Sequence, residues 1–309
     1  MNILVISSNL IGDNILSTGI IRDFINQNTN SKLTIVVGPT AAQIYKNFPN
    51  IEKVIIIKKE KYKLHWFNIW KRCVFKKWDI IIDFRSSAIS HLLLKNKSYI
   101  FKHAKKNITH QVDQFIKFFN IKNKSEPIIY NNDIETNIAK KNINPENRYI
   151  TISPGGNWLP KIWPIERYNE FIIELLNKHK NLLIILVGSD EDKEKYKQKL
   201  IQNIDDNRII DLMGETITQT YAYMKLSNLF VGNDSGLMHL AAAAKISTIG
   251  LFGPTNHILY APYGSKSFII RTKESFEEFK SVSLDKYKTY MHTIAVNDVI
   301  KKIEKEKLL

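Results

Sequence analysis

The 309-residue chain contains one cysteine, Cys73, so an internal disulfide is excluded and a reducing compartment is expected. Long apolar runs are missing as well. The most apolar stretch, Leu182 to Val187, lasts about six residues against the ~20 that a membrane-spanning helix needs. The start, Met1-Asn2-Ile3-Leu4-Val5-Ile6, turns polar at Ser7-Ser8-Asn9 with no basic region before it, so no signal peptide and a cytoplasmic location are expected. There is no H-x-x-H or C-x-x-C pair, and no D-x-D pair stands in a loop suited to a metal, so the sequence offers no metal or cofactor motif of these kinds. The G-x-G-x-x-G fingerprint of dinucleotide binding is absent after the first strand, which weakens an NAD reading. What is present, 44% hydrophobic residues, excludes a disordered or fibrous chain.

Positive charge is plentiful and unevenly spread. Residues 1–145 carry 23 Lys+Arg against 10 Asp+Glu, net +13, and residues 146–309 carry 22 against 20, net +2. A field of this kind attracts polyanions, although Lys- and Asn-rich composition also serves simply to keep a surface solvated. From Lys58 to Lys77 there are eight Lys/Arg and one acid, Glu60, interleaved with Tyr62, Trp66, Phe67, Trp70 and Phe75. Aromatics beside cations suit an anionic inner-membrane surface, and the same pattern suits a packed helix with a solvated basic face. No RNA-binding signature or helix-turn-helix pattern accompanies the charge, so nucleic acid is not an expected partner.

Short Ile/Val-rich runs alternate with segments of helical period, the pattern of βαβ units and hence of an α/β protein with parallel sheets. Strands are expected at 3–7, 33–37, 54–57 and 79–83, and again at 149–153, 182–187, 208–211, 229–231 and 248–252. Helices are expected at 14–26, 40–46, 86–94 and 110–119, then at 165–178, 190–201, 218–226, 236–244 and 296–307. An Asn-rich, irregular stretch at 120–147 reads as a linker, giving a first domain of residues 1–145 and a second of residues 146–309. Two doubly wound halves imply a cleft, with ligands beyond the carboxyl ends of the strands.

Three turns carry chemical content. Gly12-Asp13-Asn14 follows the first strand, where a carboxylate at a helix start is favoured by free amides and serves equally as an ordinary cap. Ser153-Pro154-Gly155-Gly156-Asn157-Trp158-Leu159-Pro160-Lys161-Ile162-Trp163-Pro164 leaves the first strand of the second half. Its glycines expose N–H groups and Lys161 adds a cation, so a phosphate fits; alternatively it is a rigid loop whose tryptophans plug the domain edge. Asn233-Asp234-Ser235-Gly236-Leu237-Met238-His239 runs from a strand into an Ala-rich helix, a start that binds phosphate, with Asp234 or Ser235 as alternative caps and His239 as an alternative core residue. Weaker signals are Phe252-Gly253-Pro254-Thr255 and the acids Glu191 and Asp192, one of which is placed to meet a ribose.

In this order the residues resemble glycosyltransferase family 9, the heptosyltransferase family of lipopolysaccharide core assembly, over most of the chain. Gly19 stands where the family often has proline, and Gly156-Asn157 where some members carry hydroxyl residues facing the donor phosphates. The resemblance implies a GT-B fold of two Rossmann-like domains: an N-terminal acceptor domain and a C-terminal nucleotide-sugar domain. It implies a metal-independent, inverting transfer of heptose from ADP-heptose to a phosphorylated, lipid-linked glycan. Asp13 would be the general base, supported by Gly12 and Asn14. Lys161 would neutralise the diphosphate, and Gly155, Gly156, Asn157, Glu191, Asn233, Asp234, Ser235, Gly236, Leu237 and His239 would hold the donor. A transferase of the same fold with another donor or a non-lipid acceptor, or a noncatalytic nucleotide-sugar or polyanion binder, are the alternatives.

Overall fold

Apolar runs too short for helices but rich in Ile and Val pack as strands buried on both faces, the usual state of a parallel sheet. A computed structural model describes residues 1–58, 64–102, 109–122 and 125–309 and divides the chain into two units, Met1–Tyr130 and Asn131–Leu309. Among the described residues the first unit holds β1 (Asn2–Ile6), α1 (Ile11–Asn26), β2 (Lys32–Val37), β3 (Ile51–Ile56), α2 (Leu64–Cys73), β4 (Trp78–Asp83), α3 (Ile89–Leu92), β5 (Lys95–Ile100) and α4 (Gln111–Phe119). The strands form a parallel sheet in the order β3-β2-β1-β4-β5, with Ile3 opposite both Leu33 and Ile80. The first strand is therefore central and the order reverses between β1 and β4. In an open α/β sheet, that reversal is where a ligand crevice forms. Helix α1 is buried from Asn14 through Ile21, so it lacks the polar face of a surface helix.

The second unit holds α5 (Asp133–Asn142), β6 (Arg148–Ser153), α6 (Ile165–Lys178), β7 (Leu182–Gly188), α7 (Asp190–Leu200), β8 (Ile209–Met213), α8 (Ile217–Met224), β9 (Leu229–Asn233), α9 (Gly236–Ala243), β10 (Ser247–Phe252), α10 (His257–Tyr260), β11 (Ser267–Arg271), α11 (Phe276–Lys280) and α12 (Val296–Lys305). Its sheet, again parallel, runs β11-β10-β9-β6-β7-β8 and reverses between β6 and β9. The turns after β6 and β9 are the two phosphate-loop candidates of the sequence, so both leave the sheet at its switch point. Trp163, Tyr168, Phe171 and Ile172 pack with Val231 and Leu251 in one core.

Several expectations are corrected. The compact units meet at Tyr130 and Asn131, earlier than the 145/146 boundary, because the supposed linker contains α5, which docks on α8 of the second unit. The 86–94 helix shrinks to α3 and is followed by β5, an edge strand whose Lys95-Asn96-Lys97 start carries no apolar run. Residues Thr40–Tyr45 form a 3-10 segment instead of an α-helix. Moving the boundary leaves the charge contrast intact: residues 1–130 hold 21 Lys+Arg against 8 Asp+Glu, net +13, and the remainder net +2. Among the described residues no helix is long and apolar enough to cross a membrane.

Candidate active site

In the first unit the polar end of β1 builds a small frame. Ser8 Oγ donates to Asp13 Oδ2 at 2.8 Å and accepts from Leu10 N at 3.2 Å. Asn14 Nδ2 donates to the carbonyls of Ser8 and Leu10, each at 2.7 Å, while its Oδ1 accepts from Tyr45 Oη at 3.0 Å. Burial pushes the Tyr45 phenol far above its ordinary pKa, so it stays a donor. Asp13 is thus not a cap. Leu10 occupies the cap position, and Asp13 sits in the first turn, half-buried, with its orientation fixed from Ser8. Gly38, at the end of β2, lies so close to this turn that a Cβ there would come 2.7 Å from Asn9 Cα. Gly12 begins the same turn of α1 and is half-buried. Neither Ser8 nor Tyr45 is apparent from sequence as a site residue, although the polar Ser7-Ser8-Asn9 after an apolar run marks the place.

In the second unit, Asn233 is a latch between the two switch-point turns. Its Nδ2 donates to the carbonyls of Pro154 at 2.8 Å and Gly155 at 3.1 Å, and its Oδ1 accepts from Trp163 N at 2.9 Å and Tyr168 Oη at 3.1 Å. All of this side chain's hydrogen-bonding capacity is spent on protein, so it shapes the Pro154–Gly155 turn from beneath. Lys161 Nζ lies 3.9 Å from Asp234 Oδ2, and both side chains are nearly shielded from water, at 13% and 10% exposed. A cation and a carboxylate are therefore held together at the start of α9. Ser235 precedes that helix without capping it, and its Oγ is shielded and has no hydrogen-bond partner among the described residues. Thr255 Oγ1, beyond the adjacent strand β10, is in the same condition. Shielded hydroxyls without partners are costly, and two of them at neighbouring strand ends suit the oxygens of a ligand. Ser235 stands at the cap position without making the alternative cap; Gly236 and Leu237 supply the first helical amides, and His239 is buried one turn on.

The Gly155 turn has its own constraint. A Cβ on Gly155 would fall 2.1 Å from Asp192 Oδ1, whose carboxylate accepts from Ser189 N at 3.0 Å and Ser189 Oγ at 2.8 Å in the capping box of α7. Of the two acids suggested for a ribose, Asp192 therefore abuts the loop, whereas Glu191 is exposed on the helix start. Gly156 is half-buried and Asn157 exposed. The tryptophans do not plug an edge in the same way: Trp163 is fully buried in the core and its Nε1 donates to Ile294 O at 3.0 Å.

The C-terminal segment, silent in sequence, fastens the Lys161 loop. Tyr290 N donates to Pro160 O at 3.0 Å, Thr289 Oγ1 to Ile162 O, and Arg167 to Ile294 O. Further along the strand ends, Arg271 donates to Gly253 O at 3.1 Å and to His257 Nδ1 at 2.6 Å. Burial, and then the Arg271 guanidinium, lower the His257 pKa, keeping the ring neutral and able to accept. Among the described residues no cluster of three or more His, Cys, Asp or Glu side chains has a metal-binding arrangement.

Residues 73–290 match the profile of glycosyltransferase family 9 (heptosyltransferase). Lipooligosaccharide heptosyltransferase 2 of Campylobacter jejuni is 27% identical over 238 residues, which cover 72% of each chain. Lipopolysaccharide heptosyltransferase 3 of Escherichia coli K12 is 26% identical over 162 residues, 52% of this chain and 46% of that one. Among solved structures, the family 9 glycosyl transferase of Veillonella parvula has a TM-score of 0.79 at 22% identity, over 98% of this chain and 96% of that one. The E. coli heptosyltransferase WaaC, solved with ADP, has a TM-score of 0.74 at 20% identity over 99% of each chain. These structural likenesses establish the GT-B fold. The family profile spans well over half of the chain, from Cys73 through both switch-point turns of the second unit, and the chain belongs to glycosyltransferase family 9 (heptosyltransferase).

Proposed function

We propose that this glycosyltransferase moves a heptose from ADP-heptose to a hydroxyl of a phosphorylated, lipid A-linked inner-core glycan, with inversion and without a metal ion. The observation that carries the reading is the pair Lys161–Asp234 beside the unpartnered Ser235 hydroxyl at the start of α9, where both turns leave the switch point. Lys161, the Gly236 and Leu237 amides and the Ser235 hydroxyl take the diphosphate; losing one preorganised donor of this kind typically costs about 2.7 to 4 kcal/mol in the transition state. Gly155, Gly156 and Asn157 border the phosphates, Asp192 or Glu191 meets the ribose, and Asp234 and His239 orient the donor. Asn233 acts by holding the Pro154–Gly155 turn.

Asp13 is the general base. Ser8 holds its carboxylate while Gly12 and Asn14 shape the turn around it. The acceptor oxygen forms a bond to the anomeric carbon, its proton passes to Asp13, and the bond to the ADP oxygen breaks with the electron pair leaving on ADP. General-base assistance of this sort is usually worth about 10² to 10⁴ in rate. A lipid-linked acceptor places the enzyme at the cytoplasmic face of the inner membrane.

The test is calorimetric binding of ADP, UDP, GDP, CMP and NAD without added metal, followed by single-turnover transfer. Selective ADP binding that is lost in Lys161→Ala is expected, and Asp13→Asn should keep donor affinity while kcat falls by about 10² or more. Preference for UDP or GDP would overturn the heptose donor while keeping the transferase class. Undiminished turnover in Asp13→Asn would overturn the base, and the absence of nucleotide binding would favour a noncatalytic polyanion binder.

A further inference from the structure

Helix α2 turns one face to the sheet, and among the described residues nothing covers the other. Ile69 and Cys73 are buried, and Trp66, Trp70 and Val74 pack against the same core, so the helix is fully anchored by its inner side. The outer side reads Leu64, Phe67 and Lys71, continuing past the helix end to Phe75, a spacing of three, four and four residues that keeps all of them on one stripe. Leu64 and Phe67 are more than half exposed, and Phe75 is 92% exposed. Three residues beyond Phe75, Trp78 N donates to Leu94 O at 3.0 Å, and Leu92 and Leu94, on either side of the buried Leu93, are both more than half exposed. A monomer rarely leaves large apolar side chains together in water without a use for them.

The surroundings are basic. Lys71 is exposed on the stripe itself, and Arg72 and Lys77 are exposed close to it in the chain. The acids nearby are Glu52, which pairs with Lys76 and Lys32, and Asp79, which accepts from Asn2 N and Asn96 Nδ2. The unit as a whole carries net +13. Residues 59–63, which include three more lysines and Glu60 of the basic-aromatic segment, lie outside the described residues.

We infer that the outer face of α2, with Phe75, Leu92 and Leu94, is a docking surface for an anionic lipid bilayer, the apolar side chains entering the headgroup boundary and the cations contacting lipid phosphates. Charge complementarity selects the occupant: a protein-only contact has no need of these cations, whereas an anionic leaflet meets both the apolar and the basic part. The inference deepens the proposed function, resting on its lipid-linked acceptor, and names the face that meets the membrane.

Flotation of the full-length protein with vesicles of phosphatidylcholine, with or without 30% phosphatidylglycerol by design, tests it. Binding to the anionic vesicles is expected, weakening strongly between about 0.1 M and 1 M salt as screening shortens from ~10 Å to ~3 Å. Phe67→Ser with Phe75→Ser should lower partitioning at least about tenfold without lowering thermal stability, since both side chains are exposed. Lys71→Gln, Arg72→Gln and Lys77→Gln should each lower it about fivefold. Equal partitioning of wild type and Phe67→Ser/Phe75→Ser, salt-independent binding, or a dimer in sedimentation that Phe75→Ser dissociates would overturn the inference. Transfer to a deacylated, water-soluble acceptor separates it from the proposed function: transfer without vesicle binding overturns the docking surface alone, and vesicle binding without transfer overturns the function alone.

Discussion

At the scale of single residues, the polar groups that matter are those whose hydrogen bonds are either completely spent or conspicuously unspent. Asn233 belongs to the first kind and Ser235 to the second, though they are two positions apart. Sequence places both at the turn after β9 and separates them poorly, because an Asn after a strand is equally a ligand contact or a scaffold, and only the partners decide. Asp13 is legible for the same reason that Ser8 is not: a carboxylate at a helix start draws notice, whereas a serine that positions it looks like any turn residue. His257 gives a prediction with a definite sign. Its folded pKa is lowered, so the unfolded chain binds the proton more readily below the ordinary value of about 6.5, and stability is lost as pH falls from there toward the folded pKa. His257→Gln should therefore narrow the fall in thermal midpoint between pH 7 and pH 5, while at pH 7.5 and above the variant gains nothing from this source. A midpoint that falls equally in both proteins would show that the ring does not contribute.

At the scale of elements, the strand-helix alternation was readable wherever apolar runs of five to seven residues stood alone, as in β1 and β7. Helix α5 escaped because its pattern is inverted. Its Ile134 and Ile138 face water, while Glu135 is buried and its Oε1 accepts from Thr218 Oγ1 at 2.6 Å. A helix seated through a carboxylate and an alanine has no apolar stripe to detect. Helix α12 shows the converse: charged residues dominate its sequence, yet Val296, Val299, Ile300 and Ile303 fall on one buried face. The contact between Gly155 and the α7 cap makes a prediction at this scale. Gly155→Ala should weaken ADP binding about tenfold or more and lower stability, because the new methyl displaces a carboxylate held by Ser189. Asp192→Ala alone should cost about 1 kcal/mol through loss of the carboxylate half of the capping box, while the Ser189 cap itself remains. In the double variant the methyl has room, so the two costs should fall short of additivity by more than about 0.5 kcal/mol in chemical denaturation. Strict additivity would mean that the glycine is not required by that contact.

At the scale of the whole molecule, the two units share a topology and differ in charge, net +13 against +2. Self-repulsion should destabilise the first unit more, and salt should relieve it. Hydrogen exchange read by peptide is expected to show slower exchange in β1, β2 and β4 on going from 20 to 300 mM salt, with a smaller change in β6, β7 and β9; a uniform response would show that the charge is balanced by local pairing. The charge contrast was fully legible in composition, as was the doubling of the α/β pattern; the boundary was not, since a polar docking helix resembles a linker. The bracing of the Lys161 loop has a further consequence for how the protein is made. Trp163 waits for the carbonyl of Ile294, which is 131 residues away along the chain. On a ribosome the loop therefore emerges long before its fastener, and the Lys161 loop cannot set until that later segment has been released and has folded back. Donor binding should appear late in synthesis as a single event, however early the strands around it begin to pair.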